Sequence, residues 1–157
     1  MARPSKETSK ETTKVTIELL REGAVIPKYM TKGAGCADVY LPQTVTVPPV
    51  GIESRATEVP LGFKVVVPKG YTMRLQLRSS VGNKLPLSLG NIEGIIDEDF
   101  RGEVKLFLRN YGKQLLVLEQ GTRIAQCWLE KTQPIEFIEG NVEADTERGL
   151  ESGSTGV

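Results

Sequence analysis

From Val15 onward, apolar and polar positions alternate in short stretches separated by Gly and Pro. Val15, Ile17 and Leu19 interleave with Thr16, Glu18 and Leu20. The β-branched run Phe63-Lys64-Val65-Val66-Val67 stops at Pro68-Lys69-Gly70, a turn signal. Tyr71, Met73, Leu75 and Leu77 alternate with Thr72, Arg74 and Gln76, as a half-buried strand does. Val104, Leu106 and Leu108 alternate with Lys105, Phe107 and Arg109. Stretches Gln114–Leu118, Arg123–Leu129 and Ile135–Ile138 continue the series. No stretch holds a helical period over three turns. Many short strands with turn residues between them predict an all-β sandwich, jelly roll or barrel.

The ends break this rhythm. Residues 1–14 are mostly Ser, Thr, Lys and Glu, cannot bury enough surface to offset ordering entropy, and predict a flexible N-terminal arm. Residues 15–138 form the expected β-domain. Residues 139–157 carry Glu139, Glu143, Asp145, Glu147 and Glu151 against Arg148 alone, then become Ser152-Gly153-Ser154-Thr155-Gly156. That C-terminal arm is either a frayed tail or a segment whose amides and hydroxyls wrap a phosphate.

Composition narrows the chemistry. At 157 residues, 39% hydrophobic and 25% charged, the chain suits one soluble domain. It contains no histidine. This excludes Ser-His-Asp and Cys-His nucleophiles, histidine-bound zinc and a histidine base. Its 20 basic and 20 acidic residues cancel, so stable nucleic-acid binding is not expected. Cys36 and Cys127 lack metal spacing and read as buried or half-buried thiols. No apolar run would span a bilayer and no secretory h-region opens the chain, so an intracellular location, cytoplasmic or nuclear, is expected.

Four places carry candidate chemistry. In Gly33-Ala34-Gly35-Cys36-Ala37-Asp38, small residues lead into an acid that either holds a metal-bound water or caps a turn. In Arg78-Ser79-Ser80, a planar cationic fork and two hydroxyls suit phosphate, although a serine turn beside an exposed Arg is also ordinary surface. In Gly90-Asn91-Ile92-Glu93-Gly94-Ile95-Ile96-Asp97-Glu98-Asp99-Phe100-Arg101-Gly102-Glu103, an apolar pair runs straight into Asp97, which can take a proton from water. Gly94 and Gly102 mark places where backbone bends or approaches a ligand. The bland reading of that acidic cluster is a solvated turn. In Gly121-Thr122-Arg123-Ile124-Ala125-Gln126, Gln126 offers an amide donor within a strand.

In this order, the pieces resemble the five motifs of the dUTPase family, from about Gly33 to Gly156. The resemblance implies a jelly-roll-like subunit, a homotrimer with shared active sites, and Mg2+-dependent hydrolysis of dUTP to dUMP and pyrophosphate. Such an activity limits uracil incorporation into DNA and supplies dUMP for dTTP synthesis. The resemblance also implies roles for residues. Asp38 would help hold the magnesium water shell, and Arg78, Ser79 and Ser80 would grip phosphates. Asn91, Gly94, Ile96 and Phe100 would receive base and sugar, and Asp97 would activate the water that strikes the α-phosphorus. Gln126 would donate on the phosphate side, and Arg148, Ser154 and Thr155 would clamp the γ-phosphate.

Two departures from the family pattern stand out. Phe100 replaces the usual Tyr, keeping the apolar face that leaves no room for a 2′-hydroxyl. The fifth motif is one residue short, with Ser152 where an aromatic ring usually caps uracil and Glu151 beside it. The lost stacking is worth about 1–3 kcal/mol, which predicts a weaker KM rather than lost chemistry. Alternatives are a nucleotide-binding or interaction protein of the same fold with reduced catalysis, whose C-terminal Thr155-Gly156-Val157 would suit a PDZ domain, and a dCTP deaminase. Deaminases of this fold place a catalytic Glu where this chain has Phe107, which cannot shuttle protons.

Overall fold

The structure, a computed structural model, describes residues 12–51 and 55–143. The alternating stretches become strands β1 (Thr16–Leu19), β2 (Ala37–Tyr40), β3 (Val45–Val47), β4 (Thr57–Pro60), β5 (Phe63–Val66) and β6 (Tyr71–Leu77). A short helix, α1 (Ser79–Lys84), precedes β7 (Leu87–Leu89), β8 (Gly94–Ile96), β9 (Lys105–Asn110), β10 (Leu116–Leu118) and β11 (Arg123–Lys131). Every ladder between them is antiparallel. The largest sheet runs β2-β11-β6-β8; β4-β9-β7 forms a second, and β1-β5 and β10-β3 form two-stranded ribbons. The fold is all-β, as the alternation predicts, and jelly-roll-like, as the resemblance implies.

The two-residue period sorts side chains between core and surface. Met73 and Leu75 of β6 are buried while Gln76 is exposed. Val104, Leu106 and Leu108 all face the core. Phe63, Val39, Leu41, Val47, Val59 and Ile124 complete the centre. Each such side chain contributes roughly 1.5–3 kcal/mol on burial. Cys127 is buried and Cys36 half-buried, both as free thiols.

One buried polar residue pins the far end. Asn110 is wholly inaccessible, donates from Nδ2 to Val47 O at 2.9 Å and Gln114 O at 2.8 Å, and accepts from Gly112 N at 2.9 Å. All of its amide atoms are thereby satisfied.

Two segments differ from expectation. Ile135–Ile138 is no strand: residues 132–143 form no regular structure, and Phe137 is 89% exposed. A strand exists only where a neighbour pairs with it, and Pro134 has no N–H to give to a ladder. The helix α1, six residues long, falls short of the three turns that periodicity can reveal. It ends at Leu85, whose extended conformation (φ −116°, ψ 146°) is what a residue before proline prefers. The N-terminal arm expected over 1–14 lies outside the described residues except for 12–14.

Candidate functional site

The strand β8 and the segments flanking it build a hollow of about 480 Å³, within the range that holds small ligands. Asn91, Gly94, Ile96, Asp97 and Phe100 all line it, so the chain brings these candidates together. Leu89, Ile95 and Phe107 add apolar wall. Gly94 sits in register with Leu75, and a Cβ there would meet Leu75 Cβ at 3.2 Å. Gly102 lies under the Phe100 ring: a Cβ on Gly102 would fall 2.6 Å from Phe100 Cζ. These two glycines are therefore sites of close approach, by strand to strand and by ring to backbone.

The turn after β8 carries Asp97. Phe100 N donates to Asp97 O at 3.2 Å and closes it. Arg101 Nη1 donates to Glu98 O at 2.7 Å and Phe100 O at 2.8 Å, while Gly70 N donates to Glu98 Oε2 at 2.5 Å. Backbone bonds thus hold Asp97, and no side chain among the described residues ion-pairs with it. An exposed carboxylate so placed can accept a proton from water. The other carboxylates of the hollow are occupied: Glu58 by Lys105 at 2.6 Å, and Glu103 by Arg21 at 2.5 Å and Gly62 N at 2.9 Å.

The turn that leads into β8 is strained. Glu93 N donates to Asn91 O at 2.6 Å, and Ile92 between them has φ 64°. This is a three-residue γ-turn of the strained form. A β-branched residue in the left-handed region costs about 1–3 kcal/mol. Ile92 is the one non-glycine residue with positive φ among those described.

A second cluster gathers Asp38, Arg78 and Gln126. Asp38, on the buried strand β2, is 2% exposed. Its Oδ1 accepts from Gln126 Nε2 at 3.0 Å and lies 3.3 Å from Arg78 Nε; its Oδ2 accepts from Arg123 Nη1 at 3.2 Å. Of the two sequence readings of Asp38, turn capping fails, since it is a strand residue facing charge. One buried carboxylate against two guanidinium groups leaves a local excess of one positive charge. Arg78 Nε is off-line for a hydrogen bond and has no other partner among the described residues, so a buried donor is left over. Ser79 and Ser80 follow at the exposed first turn of α1. Together these groups suit an anion.

Neither Asp38, Arg78, Ser79, Ser80 nor Gln126 lines the hollow that holds Asp97. One chain therefore presents a nucleoside-sized hollow and an anion cluster at different places. Arg148, Ser154 and Thr155 lie outside the described residues. Arg123 is a partner of Asp38 that the sequence reading left without a role. The two are 85 positions apart, and only the pairing of β11 with β2 joins them.

A family model described as dUTPase matches residues 22–156. The chain belongs to the dUTPase family. The deoxyuridine 5'-triphosphate nucleotidohydrolase of Fusobacterium nucleatum is 35% identical across 89% of this chain and 94% of its own length. That of Zymomonas mobilis is 35% identical across 92% and 98%. Among solved structures, a mutant Staphylococcus bacteriophage 80alpha dUTPase with dUpNHpp superposes with a TM-score of 0.81 at 23% identity, covering 93% of this chain and 100% of that one. A mutant dUTPase of S. aureus phage phi11, described for its coordination of a structural Mg(II) ion, gives 0.73 at 20% identity, covering 83% and 98%. At these identities the structural likeness is one of fold, and it agrees with the jelly-roll-like architecture.

Proposed function

We propose that the chain hydrolyses dUTP to dUMP and pyrophosphate, with Asp97 as the general base. Membership of the dUTPase family supports the reaction. The observation that carries the site is the shared hollow of Asn91, Gly94, Ile96, Asp97 and Phe100. Its Asn91–Gly94 turn would read the base through the backbone, and the Phe100 ring would face the sugar. Asp97 would take a proton from the water that attacks the α-phosphorus. Arg78, Arg123 and the hydroxyls of Ser79 and Ser80 would receive the phosphates, with Arg148, Ser154 and Thr155 closing on the γ-phosphate. Phosphoryl transfer asks for this positioning and charge neutralisation more than for covalent help.

The residues fit magnesium in one way only. No group of three or more acidic, Cys or His side chains among the described residues could cage a metal. Asp38 already accepts two hydrogen bonds, from Arg123 and Gln126, beside its ion pair with Arg78, and a carboxylate offers roughly four lone-pair positions. It would hold an ion through a water, with the substrate's phosphates supplying the direct ligands. When bound, Mg2+ would neutralise charge on the triphosphate.

The separation of the Asp97 hollow from the Asp38 cluster supports a site completed between copies, as a homotrimer. Exposed apolar residues add to that case: Phe137, Ile138 and Val142 are 89%, 87% and 92% exposed. Light scattering should report three times the mass of one chain; a monomer that is fully active would sink the shared site. The deaminase alternative finds no support, since Phe107 puts an apolar ring in the hollow and both glutamates there are paired. The compartment is proposed as intracellular; among the described residues no helix is long and apolar enough to cross a membrane.

The deciding assay is pyrophosphate release from dUTP, dCTP, dTTP and UTP, with and without Mg2+, for the native chain and Asp97→Asn. Metal-dependent cleavage of dUTP alone, lost in the variant, is expected. Binding without turnover would favour the interaction-protein reading.

A further inference from the structure

We propose that Arg74 is a positioning residue for base recognition, holding the strained turn before β8 in the shape that faces the hollow. The proposal rests on the reading that this turn reads the base of dUTP.

The argument begins with the turn itself. Asn91, Ile92 and Glu93 reverse the chain in three residues, with Ile92 at φ 64°. Ile92 is 86% exposed, so packing does not compensate for its conformation. Strained backbone persists only where its surroundings over-determine it. The turn sets the positions of Asn91 and Gly94, which both line the hollow.

The restraint comes from the neighbouring strands. Arg74 Nη1 donates to Glu93 Oε2 at 3.2 Å. Arg74 Nε donates to Glu130 Oε2 at 2.6 Å, so the guanidinium is itself anchored. Arg74 stands opposite Ile95 of β8 and Trp128 of β11, and the link therefore spans three adjacent strands. The Arg74 and Glu93 side chains are only 24% and 29% exposed, which limits screening of their attraction. A planar fork can hold two carboxylates at once, as an ammonium group cannot with the same geometry.

None of Arg74, Glu93 and Glu130 lines the hollow. Within one chain their influence on the hollow therefore passes through the turn that leads into β8. Asp97 lies beyond the other end of β8 in a turn with its own backbone ties. Loss of Arg74 would thus weaken base binding equally in the ground and transition states. Such a loss raises KM and leaves kcat in place.

The test is Arg74→Ala, assayed for kcat and KM on dUTP, for dUMP affinity by calorimetry and for inhibition by pyrophosphate. KM and the dUMP Kd should both rise about tenfold, with kcat within about twofold of native and pyrophosphate inhibition unchanged. Arg74→Lys should recover part of the loss. Adding Ile92→Gly to Arg74→Ala should recover most of it, because glycine adopts positive φ without strain. Unchanged KM in Arg74→Ala would overturn the proposal. So would a uniform loss in kcat, dUMP binding and pyrophosphate binding together with a lower Tm, or a double variant no better than Arg74→Ala. If the native chain does not cleave dUTP, the underlying reading fails and the proposal falls with it, before any variant is made.

Discussion

Replacing Asp38 by Ala removes the shared partner of Arg78, Arg123 and Gln126. A buried ion pair broken from one side costs about 3–5 kcal/mol, whereas an exposed pair is worth about 0–1 kcal/mol. The Arg78 side chain is 23% exposed and that of Arg123 is 40% exposed, so these pairs fall between the limits. Arg78 sits nearer the buried case, at about 2 kcal/mol, and Arg123 nearer the exposed one. Gln126 also loses the acceptor of its amide, worth about 0.5–1.5 kcal/mol. Together these place the destabilisation near 3 kcal/mol, which corresponds to a Tm lowered by about 6–12 °C for a domain of this size. Thermal unfolding followed by circular dichroism reads this directly, at low and at high salt. The loss should persist at high salt, since the carboxylate is buried. A Tm within about 2 °C of native would refute the claim that Asp38 neutralises this cluster. The variant should also raise KM for dUTP, because Arg78 would lose the charge that holds it.

Further expectations follow from other parts of the fold. Gly102→Ala should displace the Phe100 ring, since the added Cβ would fall 2.6 Å from Cζ; a ring forced off its rotamer costs about 0.5–1.5 kcal/mol, so kcat/KM for dUTP should fall about two- to thirteenfold and the UTP-to-dUTP ratio should rise, while an unchanged ratio would place the ring away from the sugar. Asn110→Ala should cost about 1–3 kcal/mol in denaturant unfolding, because it strands the buried Val47 carbonyl and removes two part-buried bonds, to Gln114 O and from Gly112 N. Burial, with smaller effects of Cys36 and Asp38, pushes the Cys127 thiol from 9.0 up to about 12. The unfolded thiol then ionises before the native one, so stability is lost as pH rises from about 9 toward 12, and Cys127→Ala should flatten that part of the Tm profile.

The all-β class, the six-residue alternation in β9 and the turn at Gly70 were legible without coordinates, because each depends on neighbours close in sequence. So was the segment around Asp97, which is contiguous from Gly90 to Glu103 and supplies most of the residues of one hollow. What lay beyond the sequence is what pairs across long separations. Asp38 offered two readings until β2 and β11 brought it against Arg123 and Gln126. Arg74 and Glu93, 19 positions apart, are joined only where β6 aligns with β8. Ile135–Ile138 has strand composition but no partner edge, and composition alone could not reveal that. Local patterning depends on propensity and burial within a few residues, whereas a charge cluster or a held turn depends on sheet register, which only the folded chain decides.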